Sequence, residues 1–299
     1  MMMNPIVKKD LQVSSRSMRL AWGVFGYEAI LTIAFLLAVL VMQEDSGFLY
    51  NNDNIYHSLV YLFPVIAIVQ VCIIALITPI ITASSISGEK ERQTFDVMLT
   101  TAMSPFSIVL GKVTSAVIRI MFYVVGSLPI MALSFVVGGL SWLSLIQYLL
   151  AVLLLAVFSG SIGILCSSIC RRSITAVILS FVGYFVVYGM SFTHMLIRAI
   201  LECDNAGESL LWLLFNPGAF FEEYFTLTMI GESLLSGGNI YNDDVGAVTY
   251  WIVSNDLWIY ISAICILLLS FVFMLLAAWK VNPMHSSGGR KPGKKKKEN

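Results

Sequence analysis

The chain has 299 residues, 58% of them hydrophobic and 12% charged, where soluble domains carry about 25% charged residues. With a mean hydropathy of +0.84, that composition excludes an ordinary soluble domain. Lys and Arg together number 18, as do Asp and Glu, so there is no basic excess to suggest a nucleic-acid partner.

The balance hides a separation. Basic residues gather at Lys8, Lys9, Arg16 and Arg19, around Lys90, Arg92 and Lys112, at Arg171-Arg172, and from Lys280 through Arg290 to Lys297. Acidic residues such as Glu44, Asp53, Glu202, Asp243 and Asp244 crowd other segments. Cytoplasmic loops of membrane proteins retain their Lys and Arg, so the basic clusters predict which loops face inward.

In chain order, residues 1–20 come first. Pro5 to Arg19 mixes Ile6, Val7, Leu11 and Val13 with four cations. This suits either a helix in the headgroup plane or a plain positive-inside anchor. A membrane helix needs about 20 apolar residues, because the hydrocarbon is about 30 Å thick and each residue rises about 1.5 Å. The segments 21–42, 59–83, 113–138, 144–169, 174–198 and 257–280 qualify. The first apolar run is too long for a signal peptide. The prediction is an all-α polytopic membrane protein with six transmembrane helices and both termini cytoplasmic. Residues 21–283 form the membrane domain and 284–299 a basic cytoplasmic tail.

A seventh span over 209–230 is rejected, because Asn216-Pro217-Gly218 and Glu222-Glu223 cost too much in hydrocarbon. That stretch reads either as short re-entrant-like helices between spans five and six or as a folded extracellular cap. In span four, Ser159, Gly163 and Ser167 recur every four residues, which lets a neighbouring helix approach closely, in this chain or in a second copy. Two charges lie inside spans. At about 1.5 Å per residue, Glu28 sits about 12 Å and Arg119 about 10 Å above the inner ends of their spans. They suit a Glu28–Arg119 intramembrane charge pair, separate snorkelling, or a place on a substrate path.

The loop between spans two and three carries the strongest signal. Over 88–102, Phe95, Met98, Leu99 and Ala102 follow helical spacing, and Glu89, Lys90, Glu91, Arg92 and Asp96 supply a charged side. Ser104-Pro105 then signals a helix start. A helix this short needs something to dock on, either lipid and its own spans or a partner.

No catalytic or metal site is predicted. His57, His194 and His285 are scattered. Cys166 and Cys170 share a helix face without further ligands, and no disulfide is expected. The tail stretch Gly288–Lys295 approaches a phosphate loop but lacks its Ser or Thr, a preceding strand and a following helix.

The run Gly88-Glu89-Lys90-Glu91-Arg92-Gln93-Thr94-Phe95-Asp96, then Leu99-Thr100-Thr101, Ser104-Pro105 and Gly111-Lys112, resembles the coupling-helix region of ABC-2 type transporter permeases. The opening Asn4-Pro5, the six spans and the overall length are also similar to that family. The resemblance implies the membrane subunit of a bacterial ABC exporter in the cytoplasmic membrane, itself not an enzyme and binding no cofactor. ATP and Mg would belong to a separate cytoplasmic ATPase subunit, and a second permease, identical or paralogous, would complete the path. By carry-over, Glu89, Glu91, Arg92, Phe95, Asp96 and Leu99 would sit in the ATPase groove. The rival readings are an ion-driven secondary transporter, usually marked by internal repeats, and a non-transporting membrane scaffold.

Overall fold

A computed structural model describes residues 5–45, 62–95, 104–137, 142–201, 211–230, 252 and 257–282. Among these residues the regular structure is helical throughout. The helices are α1 (Pro5–Ser15), α2 (Met18–Asp45), α3 (Leu62–Glu91), α4 (Pro105–Val137), α5 (Trp142–Ile169), α6 (Ser173–Leu201), a 3-10 turn (Leu211–Phe215), α7 (Pro217–Ile230) and α8 (Trp258–Val281). Helices are the natural form for such apolar runs, because each satisfies its own backbone polar groups.

Among the described residues, five stretches are long and apolar enough to cross a membrane: Leu20–Val41, Leu62–Glu91, Pro105–Leu133, Trp142–Ile169 and Trp258–Val281. The sixth expected span, 174–198, falls within α6, which at 29 residues is as long as the other spanning helices. Helix α3 extends past the expected end at residue 83, and α4 begins before the expected start at 113. Ser104 caps α4 by accepting the Ser107 N–H at 3.3 Å, with Pro105 at the first helical position.

Contacts fix the directions. Gly23 lies against Tyr123, Tyr27 donates to Ser127, and Glu28 lies against Gly126, so α2 and α4 run parallel. Gln70 donates to Ser127 at 3.0 Å and Lys112 to Glu89 at 2.8 Å, so α3 and α4 run antiparallel. Helices α3 and α5 are parallel again. Tyr148 donates to the Ala67 carbonyl, and the Ile86 N–H donates to Ser167 Oγ, each across 81 positions. Helix α6 starts beside the end of α3. Thus α2, α4 and α6 run away from a basic end, while α3 and α5 run toward it. Helix α1 lies at that basic end, with Ile6 and Val7 buried and Asp10 against α4.

Helix α5 is the centre: 72% of its apolar window is buried, against 11% for α2. Its small residues explain why. A Cβ on Gly163 would overlap Thr82 Oγ1 and sit 2.8 Å from Thr82 Cβ. Ser167 Oγ accepts the N–H groups of Ile86 at 2.9 Å and Ser87 at 2.8 Å. The stripe of Ser159, Gly163 and Ser167 therefore meets α3 of the same chain at Gly163 and Ser167, and Ser159 is also fully buried.

At the opposite end, the stretch read as a hairpin or a cap packs into the bundle. Phe220, Phe221, Tyr224 and Phe225 join the main core, and Tyr224 donates to the Ser144 carbonyl at 2.7 Å. Asn216 is buried but satisfied. Its Nδ2 donates to the Val187 and Tyr188 carbonyls at 3.2 Å, and its Oδ1 accepts the Gly218 N–H at 2.8 Å, capping α7. At 14 residues, α7 is too short to cross a bilayer.

Candidate functional site

The candidate coupling stretch does not start as a helix of its own at Gly88. Residues Gly88 to Glu91 are the last turn of α3. The helix then ends in a Schellman turn: Gln93 N–H bonds Lys90 O, Thr94 N–H bonds Glu89 O, and Gln93 adopts φ 59°. Left-handed backbone at a non-glycine residue costs about 1–2 kcal/mol, and glycine would be the usual signal there. Its absence is why the amphipathic pattern reads as one unbroken helix. Phe95 is helical again, while Asp96 and Leu99 lie outside the described residues.

Three ties bind this corner into the bundle. Lys112, 4% exposed, donates to Glu89 Oε1 at 2.8 Å and to Asp10 Oδ2 at 3.1 Å. Ser115 Oγ adds a bond to Asp10 Oδ2 at 3.2 Å. One buried ammonium thus joins α1, α3 and α4. Glu91 Oε2 accepts both the N–H and the hydroxyl of Ser173, at 3.2 and 2.9 Å, so the end of α3 caps the start of α6. A carboxylate suits a helix N-terminus, where unpaired N–H groups point outward. Lys90 Nζ donates to the Ser168 carbonyl at the C-terminal end of α5 and lies 5.5 Å from the Phe95 ring centre.

Glu89 and Glu91 are therefore engaged within the chain. Arg92 and Gln93 are exposed, and Phe95 is half-buried against the core. Sequence reasoning missed Asp10 and treated Lys112 as one more basic loop residue. The available signal was that Asp10 is the only acid before Glu28, set among four cations. A half-open cleft of about 940 Å³ lies beside this joint, between α1, α3 and α4.

Glu28 and Arg119 do not pair. In the α2–α4 register, Gly23 faces Tyr123 and Glu28 faces Gly126, where a Cβ would sit 2.8 Å from Glu28 Oε1. Arg119 is thus level with about Leu20, and Glu28 lies roughly 12 Å higher at about 1.5 Å per residue. The depth estimate failed because α4 starts at Pro105, so its level against α2 is set by side-chain contacts and not by where its apolar run begins. Arg119 Nε donates to its own helix at Ser115 O, 3.3 Å away. Glu28 Oε1 is buried without a hydrogen-bond partner. It follows that Glu28→Ala and Arg119→Ala should change folded yield additively, since contacts separated this far do not couple. A double variant milder than the sum would restore the pair.

A second polar group lies deeper, where Tyr27, Gln70 and Ser127 converge between α2, α3 and α4. Gln70 is fully buried with its Oε1 unpartnered. Among the described residues no cluster of three metal-ligating side chains occurs.

Among curated proteins, none matches this chain in sequence. A family model described as ABC-2 family transporter protein covers residues 5–229, which takes in α1 through α7 and the whole of the polar joint. The apolar helices, the basic end and that match agree, and the chain belongs to the ABC-2 transporter family as a multi-pass membrane permease.

Proposed function

We propose that this permease is the membrane subunit of an ATP-driven exporter in a bacterial cytoplasmic membrane. In this reading it makes six crossings, its basic end faces the cytoplasm, and a second permease subunit completes the path. A separate ATPase grips the connection between α3 and α4. The observation that carries the reading is the joint itself. The corner at Arg92 is tied to α4 and α1 through Glu89–Lys112–Asp10, and to α6 through Glu91–Ser173. A push on that corner reaches four helices at once.

In this mechanism Glu89 and Glu91 are transmitters and not contacts with the ATPase. Arg92 and Phe95, with Asp96 and Leu99 beyond the described residues, are the contact set. Arg92 is a rim charge, so Arg92→Glu should weaken assembly and make it more salt-dependent, because such charges are screened over about 10 Å in 0.1 M salt. Phe95→Ala should cost about 2 kcal/mol of association, as interface anchors do. Copurification of the ATPase and its permease-dependent ATP hydrolysis are the measurements. Normal binding and turnover in both variants would remove the coupling role from this corner.

A further inference from the structure

The cleft beside the joint has a different character from the joint. Its walls carry four basic and three acidic side chains, with hydroxyls of Ser84, Ser85 and Ser17 between them. Most of the charge is already spent. Lys112 holds Asp10 and Glu89, and Glu91 holds Ser173. Three cations are outside these ties: Lys9 and Arg92, which are exposed, and Arg119, the one of the three that is partly buried and that Asp10 attracts only through space. The Nε of Arg119 bonds its own helix, and among the described residues no carboxylate lies within ion-pair distance of it. The rest of its planar fork of donors is left to the cleft.

Depth decides what can reach that fork. Arg119 is level with about Leu20, the first residue of the apolar run Leu20–Val41. The start of an apolar run marks the expected boundary between hydrocarbon and headgroups, where a leaflet carries its phosphates. Part of the rim there is apolar: Val13, 67% exposed, and Ile81 line it. Such a rim suits acyl chains. A guanidinium matches phosphate oxygens two at a time, and Lys9 lies exposed on α1 as a second cation. The mixed lining disfavours a polyanion. The volume falls in the range of small-ligand sites, about 300–1,000 Å³, enough for a headgroup and glycerol.

We propose that this cleft holds the headgroup of one phospholipid from the adjoining leaflet, its phosphate on the Arg119 guanidinium and within reach of Lys9. The bound lipid wedges α1 against α3 and α4. The site is a property of the permease alone and does not depend on the ATPase.

The test uses the full-length permease, purified in detergent and stripped of native lipid. Dioctanoyl-phosphatidylethanolamine is titrated while bound lipid is counted by native mass spectrometry. Dioctanoylglycerol, which lacks phosphate, and inorganic phosphate serve as the other arms. Wild type should bind one phosphatidylethanolamine, dioctanoylglycerol should not bind, and inorganic phosphate should not compete. Arg119→Gln should weaken binding by about tenfold or more, as expected for a lost charge-assisted pair. Arg119→Lys, which keeps the charge but loses the fork, should fall between. Lys9→Gln, on an exposed surface that should not affect folding, should weaken binding about threefold, as a more solvated contact. If the Arg119 variants do not fold, Lys9→Gln decides. Wild-type affinity in Arg119→Gln and Lys9→Gln would overturn the site. Equal binding of dioctanoylglycerol would remove the phosphate from it, and full competition by inorganic phosphate would make it a free-anion site in place of a lipid site.

Discussion

Lys112→Met is expected to lower the stability of the permease by about 3 kcal/mol, the loss that follows when one partner of a buried ion pair is removed. Two carboxylates depend on that ammonium, Asp10 at 3.1 Å and Glu89 at 2.8 Å, and both are mostly shielded from water. Methionine fills similar space, so the loss should report stranded charge and not a cavity. Thermal unfolding in detergent and monodisperse yield would measure it. Adding Asp10→Asn and Glu89→Gln to Lys112→Met should recover much of the loss, because no charge is then left unpaired. An unchanged unfolding temperature in Lys112→Met would mean that the three-way contact holds nothing together.

Gly163→Val should be comparably severe for a steric reason. Even a single Cβ there overlaps Thr82 Oγ1, with Thr82 Cβ at 2.8 Å and the Ala83 nitrogen at 3.4 Å. The side chain could turn away, but the backbone of α3 could not. Overpacking of this kind costs about 1–3 kcal/mol and sometimes more, and it falls on the most buried seam of the bundle. Gly163→Ala should be milder than Gly163→Val, and Thr82→Ala should relieve it in part. By contrast, Gly26→Ala on α2 meets no atom within 4 Å and should be neutral. Equal unfolding temperatures for Gly163→Val and Gly26→Ala would dismiss the close approach.

Much of this was legible beforehand, for identifiable reasons. Apolar runs located the long helices, because length and hydropathy are properties of the chain itself. The cap at Ser104 and the proline after it marked the start of α4 correctly. The small-residue stripe announced a close contact, and only the three-dimensional packing could show that α3 supplies it. Other features were hidden. The end of α3 at Glu91 rests on a left-handed Gln93, a conformation that residue does not advertise. The triad of Asp10, Glu89 and Lys112 joins positions separated by 102 and 23 residues, and no spacing rule connects them. The supposed Glu28–Arg119 pair failed on vertical register, which apolar boundaries fix only loosely.

The parallel seam between α3 and α5 also limits how the protein can move. Slipping α3 along α5 would take Thr82 away from Gly163, the position without a side chain that admits it. Such a slip would also surrender both backbone bonds to Ser167. A ratchet along this seam is therefore disfavoured in both directions. Around Gly163 and Ser167 the two helices are expected to move together, while Pro79, which interrupts the backbone ladder of α3, leaves a place where it can bend. The remaining compliance needed for transport has to lie in the looser seams, above all around α2, whose Trp22, Phe25, Leu36 and Leu40 are open to exchange one neighbour for another.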